Sequence, residues 1–252
     1  MSVETLRSEG GRALAEIEII PRGSSPRADV MALADTDPDA VATAVWSRLP
    51  GFRVSVVDRD DVADALVRRG ATPGRHLLAM DLDLRAPRPA PRPRAVTIGP
   101  MEVERTADYG AIVSRAYPPG HIDHEPSDAE PEGAARTVAA LLRGEQVGPW
   151  LADASFDARE DGRVLGAILL SEMPPSSTYP GGPWVTEIFV DPAAAGRGIG
   201  GALLGRAMAA LEAAGRSTLG LAVTVGNPAQ RLYDSMGFVT LQDVRQVVVP
   251  LR

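Results

Sequence analysis

The stretch from Trp184 to Leu204 constrains the fold more than any other. It opens with Trp-Val-Thr-Glu-Ile-Phe-Val, breaks at Asp191-Pro192, passes three alanines and Gly-Arg-Gly-Ile-Gly-Gly, and resumes with Ala202-Leu203-Leu204. β-Branched and aromatic residues favour a strand up to Val190, and a proline, which cannot donate to a ladder, ends it. Gly196, Gly198, Gly200 and Gly201 then allow tight backbone turns just ahead of an apolar helix. A helix N-terminus offers free N–H donors and the positive end of its dipole. This strand–turn–helix unit therefore predicts a cradle for an anion, most often a phosphate.

Composition narrows the chemistry. The chain of 252 residues has no cysteine, and all 26 basic residues are arginine. Disulfides, thiolate metal sites, a cysteine nucleophile, a P-loop lysine and a Schiff-base lysine are excluded together. No apolar run approaches membrane-spanning length and no signal-peptide pattern opens the chain, so the expectation is a soluble, cytoplasmic protein with no membrane partner. The net charge of −7 falls entirely on residues 95–252. An acidic part with few aromatics argues against a nucleic-acid partner and suits a cationic acceptor.

Taken in order, Ala15 to Ile20 reads as a short strand, and Asp37-Pro38-Asp39 caps a helix through Arg48. Phe52 to Val57 reads as a strand, Asp60 to Arg69 as a helix ended by Gly70, and His76 to Leu84 as another strand. Arg85 to Arg94 places proline at nearly every second position, which favours an extended spacer. Three segments are expected: an N-terminal α/β region over 1–84, a Pro/Arg linker over 85–94 and a second domain over 95–252. In the last, Val96 to Ile98 starts a strand, Thr106 to Ala116 a helix, and His121 to Glu132 a polar loop. His121 and His124 lie three apart there, but the flanking Pro and Gly argue against an ordered metal site, and none is expected. Ala134 to Arg143 reads as a helix, with Trp150 to Phe156 and Val164 to Ser171 as strands around Glu160-Asp161-Gly162. Pro174 to Pro183 reads as a mobile flap or rim. A helix from Leu203 to Leu211 and a strand from Leu219 to Val225 follow. Asn227 then caps a short helix with Pro228 at its first position and Gly237 at its end, and a final strand spans Arg245 to Val249.

Two motifs now stand in order. Val190-Asp-Pro-x-x-x-Gly-Arg-Gly-Ile-Gly-x-x-Leu-Leu is followed by Asn227-x-Ala-x-x-Leu-Tyr233-x-x-x-Gly237-Phe238. Together they resemble the GNAT superfamily of acetyl-CoA-dependent N-acetyltransferases over roughly Val96 to Val249. The resemblance implies an α/β fold with a mixed sheet whose central strands splay apart, plus a smaller N-terminal α/β region. It implies acetyl-CoA as cosubstrate without a metal, its pyrophosphate on the backbone of Arg197, Gly198, Ile199, Gly200 and Gly201. Phe189, Val190 and Asn227 would complete the coenzyme contacts, and Ala195 stands where the family usually has Gln or Arg. Tyr233 matches the residue that protonates the leaving thiolate. Glu187 is the candidate base, because strand alternation puts it and Phe189 on one face, where a charge must meet a cleft or solvent.

The acceptor is expected to be a primary amine on a small molecule or on a peptide or protein, with Asp123, His124 and Glu125 as candidate contacts. A coenzyme A-binding sensor without turnover, or a scaffold protein, are the alternative readings. The oligomeric state is open, a homodimer among the options. A shift of 167 positions aligns Arg68-Arg69-Gly70-Ala71 with Ser235-Met236-Gly237-Phe238 and Phe52 to Val57 with the Leu219 strand. The N-terminal region thus resembles a degenerate second half of the same unit, with no glycine loop and Leu66 in place of Tyr233.

Overall fold

A computed structural model describes residues 3–20, 26–86 and 96–251, so most of the Pro/Arg segment, residues 87–95, lies outside the described residues. The N-terminal region supplies β1 (Val3–Arg7), β2 (Ala13–Ile20), β3 (Arg27–Ala32), α1 (Pro38–Arg48), β4 (Arg53–Val57), α2 (Asp60–Arg68) and β5 (Thr72–Asp83). Asp37 caps α1 by accepting from the Asp39 and Ala40 N–H groups, as its position before a proline requires. Gly70, at φ 104°, turns the chain out of α2. The remainder forms β6 (Thr97–Pro100), α3 (Thr106–Ala116), α4 (Pro131–Leu142), β7 (Phe156–Glu160) and β8 (Arg163–Met173), then β9 (Gly182–Val190), α5 (Ile199–Ala213), β10 (Thr218–Thr224), α6 (Gln230–Met236) and β11 (Val239–Val248).

All eleven described strands join one sheet in the order β1-β2-β3-β4-β11-β5-β10-β9-β8-β7-β6. The last strand of each half is exchanged. β5 lies between β10 and β11, and β11 lies between β4 and β5. The registers repeat under the offset of 167. Val57 pairs with Val244 as Thr224 pairs with Leu77, and Arg53 with Val248 as Gly220 with Asp81. Within the β5–β11 pair, Val239 faces Asp81 and Val248 faces Thr72, so the pair maps onto itself.

Four helices cover one face. Val41, Val45 and Leu66 of α1 and α2 pack on Val30, Val54 and Val56, while Leu203, Leu204 and Met208 of α5 pack on Met80, Leu82 and Leu219. Arg245 of β11 reaches Asp64 of α2 at 3.2 Å on that same face. The opposite face is covered by α3 and α4 over the C-terminal strands only, through Tyr109, Ile112, Val138 and Leu141 on Ala167, Leu169 and Phe189.

Three expectations are corrected. The strand placed at Trp150 begins only at Phe156, because residues 152–154 form a 3-10 turn. The Asn227 side chain does cap, accepting from the Ala229 N–H at 2.7 Å, but α6 starts at Gln230 after a turn through Pro228. The Pro174 to Pro183 segment is tethered: Ser177 donates from its N–H and hydroxyl to the buried Glu18 carboxylate at 2.8 and 2.6 Å, and Gln242 donates to the Thr178 carbonyl. Tyr179 is buried edge-on against Trp184. The proline content removes regular hydrogen bonding there without removing packing.

Candidate active site

β9 and β10 run parallel but pair at one position, Trp184 opposite Gly220, and then diverge. The approach at that point is so close that a Cβ on Gly220 would come within 2.5 Å of the Trp184 ring. Past it, a register shift between Leu169 and Leu170 in the β8–β9 ladder bulges β9 around Thr186 and re-aims the residues that follow. The corresponding parallel pair of the N-terminal half, β3 with β4, stays zipped from Arg27–Arg53 to Val30–Val56. Among the described residues, of these two parallel pairs only β9–β10 opens a cleft.

The cleft is a cavity of about 450 Å³. Glu187 and Tyr233, the expected base and acid, both line it. Tyr117, at the C-terminal end of α3, holds its hydroxyl 3.1 Å from Glu187 Oε1 and 2.9 Å from the Ile188 carbonyl. Burial pushes the Glu187 carboxyl up to about 7; the Tyr117 hydrogen bond opposes that rise, as does the positive charge of Arg75, while Asp128 and Asp123 add to it. A carboxyl with that value is half ionised near neutrality, the condition under which a general base works best. The Tyr233 phenol is raised by burial and then by the charges of Glu187 and Asp123, so it stays protonated and can donate. Its ring packs edge-on against Phe238 at 5.9 Å.

The glycine loop adjoins this cavity at Val190 and Pro192. Gly196 and Gly198 sit at φ 74° and 75°, in the left-handed region, with open space where a Cβ would lie; the requirement is therefore conformational. Gly198 forms the N-cap of α5, and the Ala202 N–H is bonded to the Gly198 carbonyl. The amides of Ile199, Gly200 and Gly201 precede that first intrahelical bond, which suits them to an anion. The Arg197 side chain is drawn back to Glu160 at 2.5 Å, leaving the backbone as its contribution. Phe189 and Val190 line the cavity from β9.

The proposed acceptor contacts divide. Asp123 lines the cavity with its carboxylate already engaged by the Thr224 hydroxyl and the Asn227 amide. Glu125 lines it too, 3.7 Å from Arg75. His124 is not brought in: its Nδ1 lies 2.7 Å from the Tyr117 carbonyl and braces the loop, while His121 reaches the cavity in its place. Asn227 stands at the cavity edge, tied to Asp123 and Ala229.

Sequence reasoning missed Tyr117 and Arg75. Tyr117 had a weak signal, an aromatic ending a helix just before Pro118-Pro119-Gly120. Arg75 had none, because it arrives from the N-terminal half on β5, donating to the Asp123 carbonyl at 2.7 Å and facing the Asp123 carboxylate at 3.4 Å. Among the described residues one group of metal-ligand type occurs, Asp60, His76 and Asp243, none of which lines this cavity, with Arg245 3.6 Å from Asp60. No helix among them is long and apolar enough to cross a membrane.

Comparison with known proteins bears on this geometry. Residues 114–238 match the family model described as Acetyltransferase (GNAT) family. A GCN5-related N-acetyltransferase from Sphaerobacter thermophilus superposes with a TM-score of 0.63 at 16% identity, over 98% of this chain and 81% of that one. One from Kribbella flavida gives 0.56 at 16% identity, over 93% and 87%. A tandem GNAT protein from the clavulanic acid biosynthesis pathway gives 0.52 at 16% identity, over 95% and 80%. No curated protein matches the sequence.

Proposed function

Residues 114–238 form a domain of the GNAT acetyltransferase family, and on that premise we propose that the protein transfers an acetyl group from acetyl-CoA to a primary amine. The observation that carries this reading is the meeting of Glu187 and Tyr233 in one cavity at the splay of β9 and β10, beside the glycine loop. The donor fits the residues present. Its pyrophosphate matches the backbone amides ahead of α5, and the unpaired edges of β9 and β10 leave N–H and C=O groups for an amide-bearing arm. Bound there, acetyl-CoA would supply an activated thioester.

The chain's own part is proton management. An acceptor reaches the cavity as an ammonium, and Glu187 takes its proton, leaving the nitrogen lone pair free to attack. Tyr117 holds the carboxylate in place for that transfer. The nitrogen bonds to the thioester carbonyl carbon, and as the C–S bond breaks the Tyr233 hydroxyl donates its proton to the departing sulfur, the second proton lost by the nitrogen restoring the hydroxyl. The acidic residues at this end, Asp123, Asp128 and Glu187, favour the arriving cation. The test is release of free thiol from acetyl-CoA against a panel of amines. Amine-dependent release that falls at least tenfold in Glu187→Gln supports the reading, and the absence of release with every amine removes it.

We further propose that the N-terminal region is a degenerate GNAT-like half. Its zipped β3–β4 pair supports the expectation that it binds no coenzyme.

A further inference from the structure

The face of the sheet that α3 and α4 leave uncovered carries two arginines on β3 and β4, and Arg27 lies close enough to the cavity-lining Arg75 and Glu125 for their charges to act on it. Arg27 and Arg53 are direct neighbours in the parallel β3–β4 register. They share a face with Asp29 and Ser55, two residues further along each strand and themselves register neighbours. Like charges at neighbouring positions repel, yet among the described residues neither arginine forms an ion pair. Of the acids whose charge bears on Arg27, Glu125 is paired with Arg75 at 3.7 Å, and Asp29, two residues along β3, forms no ion pair with it. Partial desolvation, and then the positive charges of Arg53 and Arg75, hold the guanidinium of Arg27, a residue otherwise exposed, below the usual arginine range, against the opposing charges of Glu125 and Asp29. Arg75 is the member of the row that lines the cavity itself.

The site is therefore bipolar, with carboxylates around Glu187 at the reacting end and arginines on the side supplied by the N-terminal half. We propose that the acceptor is an amine that also carries a carboxylate or phosphate, its anionic group held by Arg27 and Arg53 while its amine lies toward Glu187. This rests on the acetyltransferase reading for the amine end alone; the anion subsite stands on the arginine geometry. Guanidinium forks match both anions bidentately, and two forks side by side give a doubly held group.

Calorimetry on the full chain separates the possibilities without turnover. The probes are 4-aminobutyrate, 2-aminoethyl phosphate and the uncharged-tail control 4-aminobutanamide. The acidic amines should bind at least tenfold more tightly than the amide, and whichever of the two binds better identifies the anion. The double variant Arg27→Gln/Arg53→Gln should erase that preference while its Tm and its KM for acetyl-CoA stay unchanged. Equal binding of all three probes, no binding of either acidic amine, or a preference that survives the double variant overturns the proposal. Thiol release with neutral amines but no anion preference retains acetyl transfer and sinks the subsite. Anion preference without thiol release does the reverse.

Discussion

His76 and Asp243 stand 167 residues apart in the chain and meet across neighbouring strands, Nε2 to Oδ1 at 2.7 Å. That separation is the offset relating the two halves, so each residue pairs with its own counterpart across the approximate two-fold between β5 and β11. A residue can touch its counterpart only beside such an axis. The exchanged strands are thus a joint: β5 carries Leu77 and Arg75 to the cavity of the other half. The N-terminal half is a wall of the site as well as a neighbour of it.

The exchange predicts that the halves do not fold apart. A fragment spanning 95–252 loses β5, leaving β10 and β11 with unpaired edges at the centre of the sheet and uncovering Met236, Phe238 and Leu219. It should lack a cooperative thermal transition by circular dichroism and should aggregate. A monomeric fragment with a native-like Tm would contradict the shared sheet.

Glu187→Gln tests catalysis and stability together. At pH 8 kcat/KM should fall by roughly 10²-fold or more, the usual contribution of a general base. A carboxyl raised to about 7 binds its proton more tightly folded than unfolded, so its contribution is greatest below the unfolded value and is lost as pH rises toward 7. Removing the ionisation should therefore stabilise the protein above pH 7, by about 1–3 kcal/mol given the cleft's residual solvent, and leave it unchanged near pH 4. Urea melts at both pH values check the sign.

Tyr117→Phe removes the hydrogen bond that holds the Glu187 carboxyl down. The acid limb of the kcat/KM profile should move to higher pH. Activity should drop several-fold at pH 7 and recover by pH 9. A uniform loss at every pH would instead assign Tyr117 a packing role.

Tyr233→Phe keeps the ring contact with Phe238 and deletes only the hydroxyl. Tm should hold within a few degrees while kcat falls by roughly 10²-fold, the loss expected for a general acid. An unchanged kcat across thioesters of differing leaving-group acidity would remove Tyr233 from proton donation.

Gly220→Ala probes the hinge of the splay. The added methyl would lie within 2.5 Å of the Trp184 ring, which is already wedged against Tyr179. Destabilisation of about 1–3 kcal/mol is expected from overpacking, read as a lowered Tm with reduced acetyl-CoA affinity.

The sequence by itself determined the local elements and singled out Glu187 and Tyr233, the candidate pair that the fold brings into one cavity. Residue type and periodicity located α1, α2 and α3, the strands β4 and β10, and the glycine turn before α5, because capping, glycine turns and side-chain alternation act over a few residues. Glu187 and Tyr233 were legible because they lie on such elements beside the two motifs. The offset of 167 was legible too, as a pattern with no stated geometry. Only the tertiary structure decided where β5 and β11 go, since a strand's edge offers the same N–H and C=O groups to any partner, and the choice is made by packing of the whole sheet. That choice put Arg75 against Asp123, set Arg27 beside Arg53, and left His124 facing a backbone carbonyl. Those are contacts between segments far apart in the chain, and no local pattern encodes them.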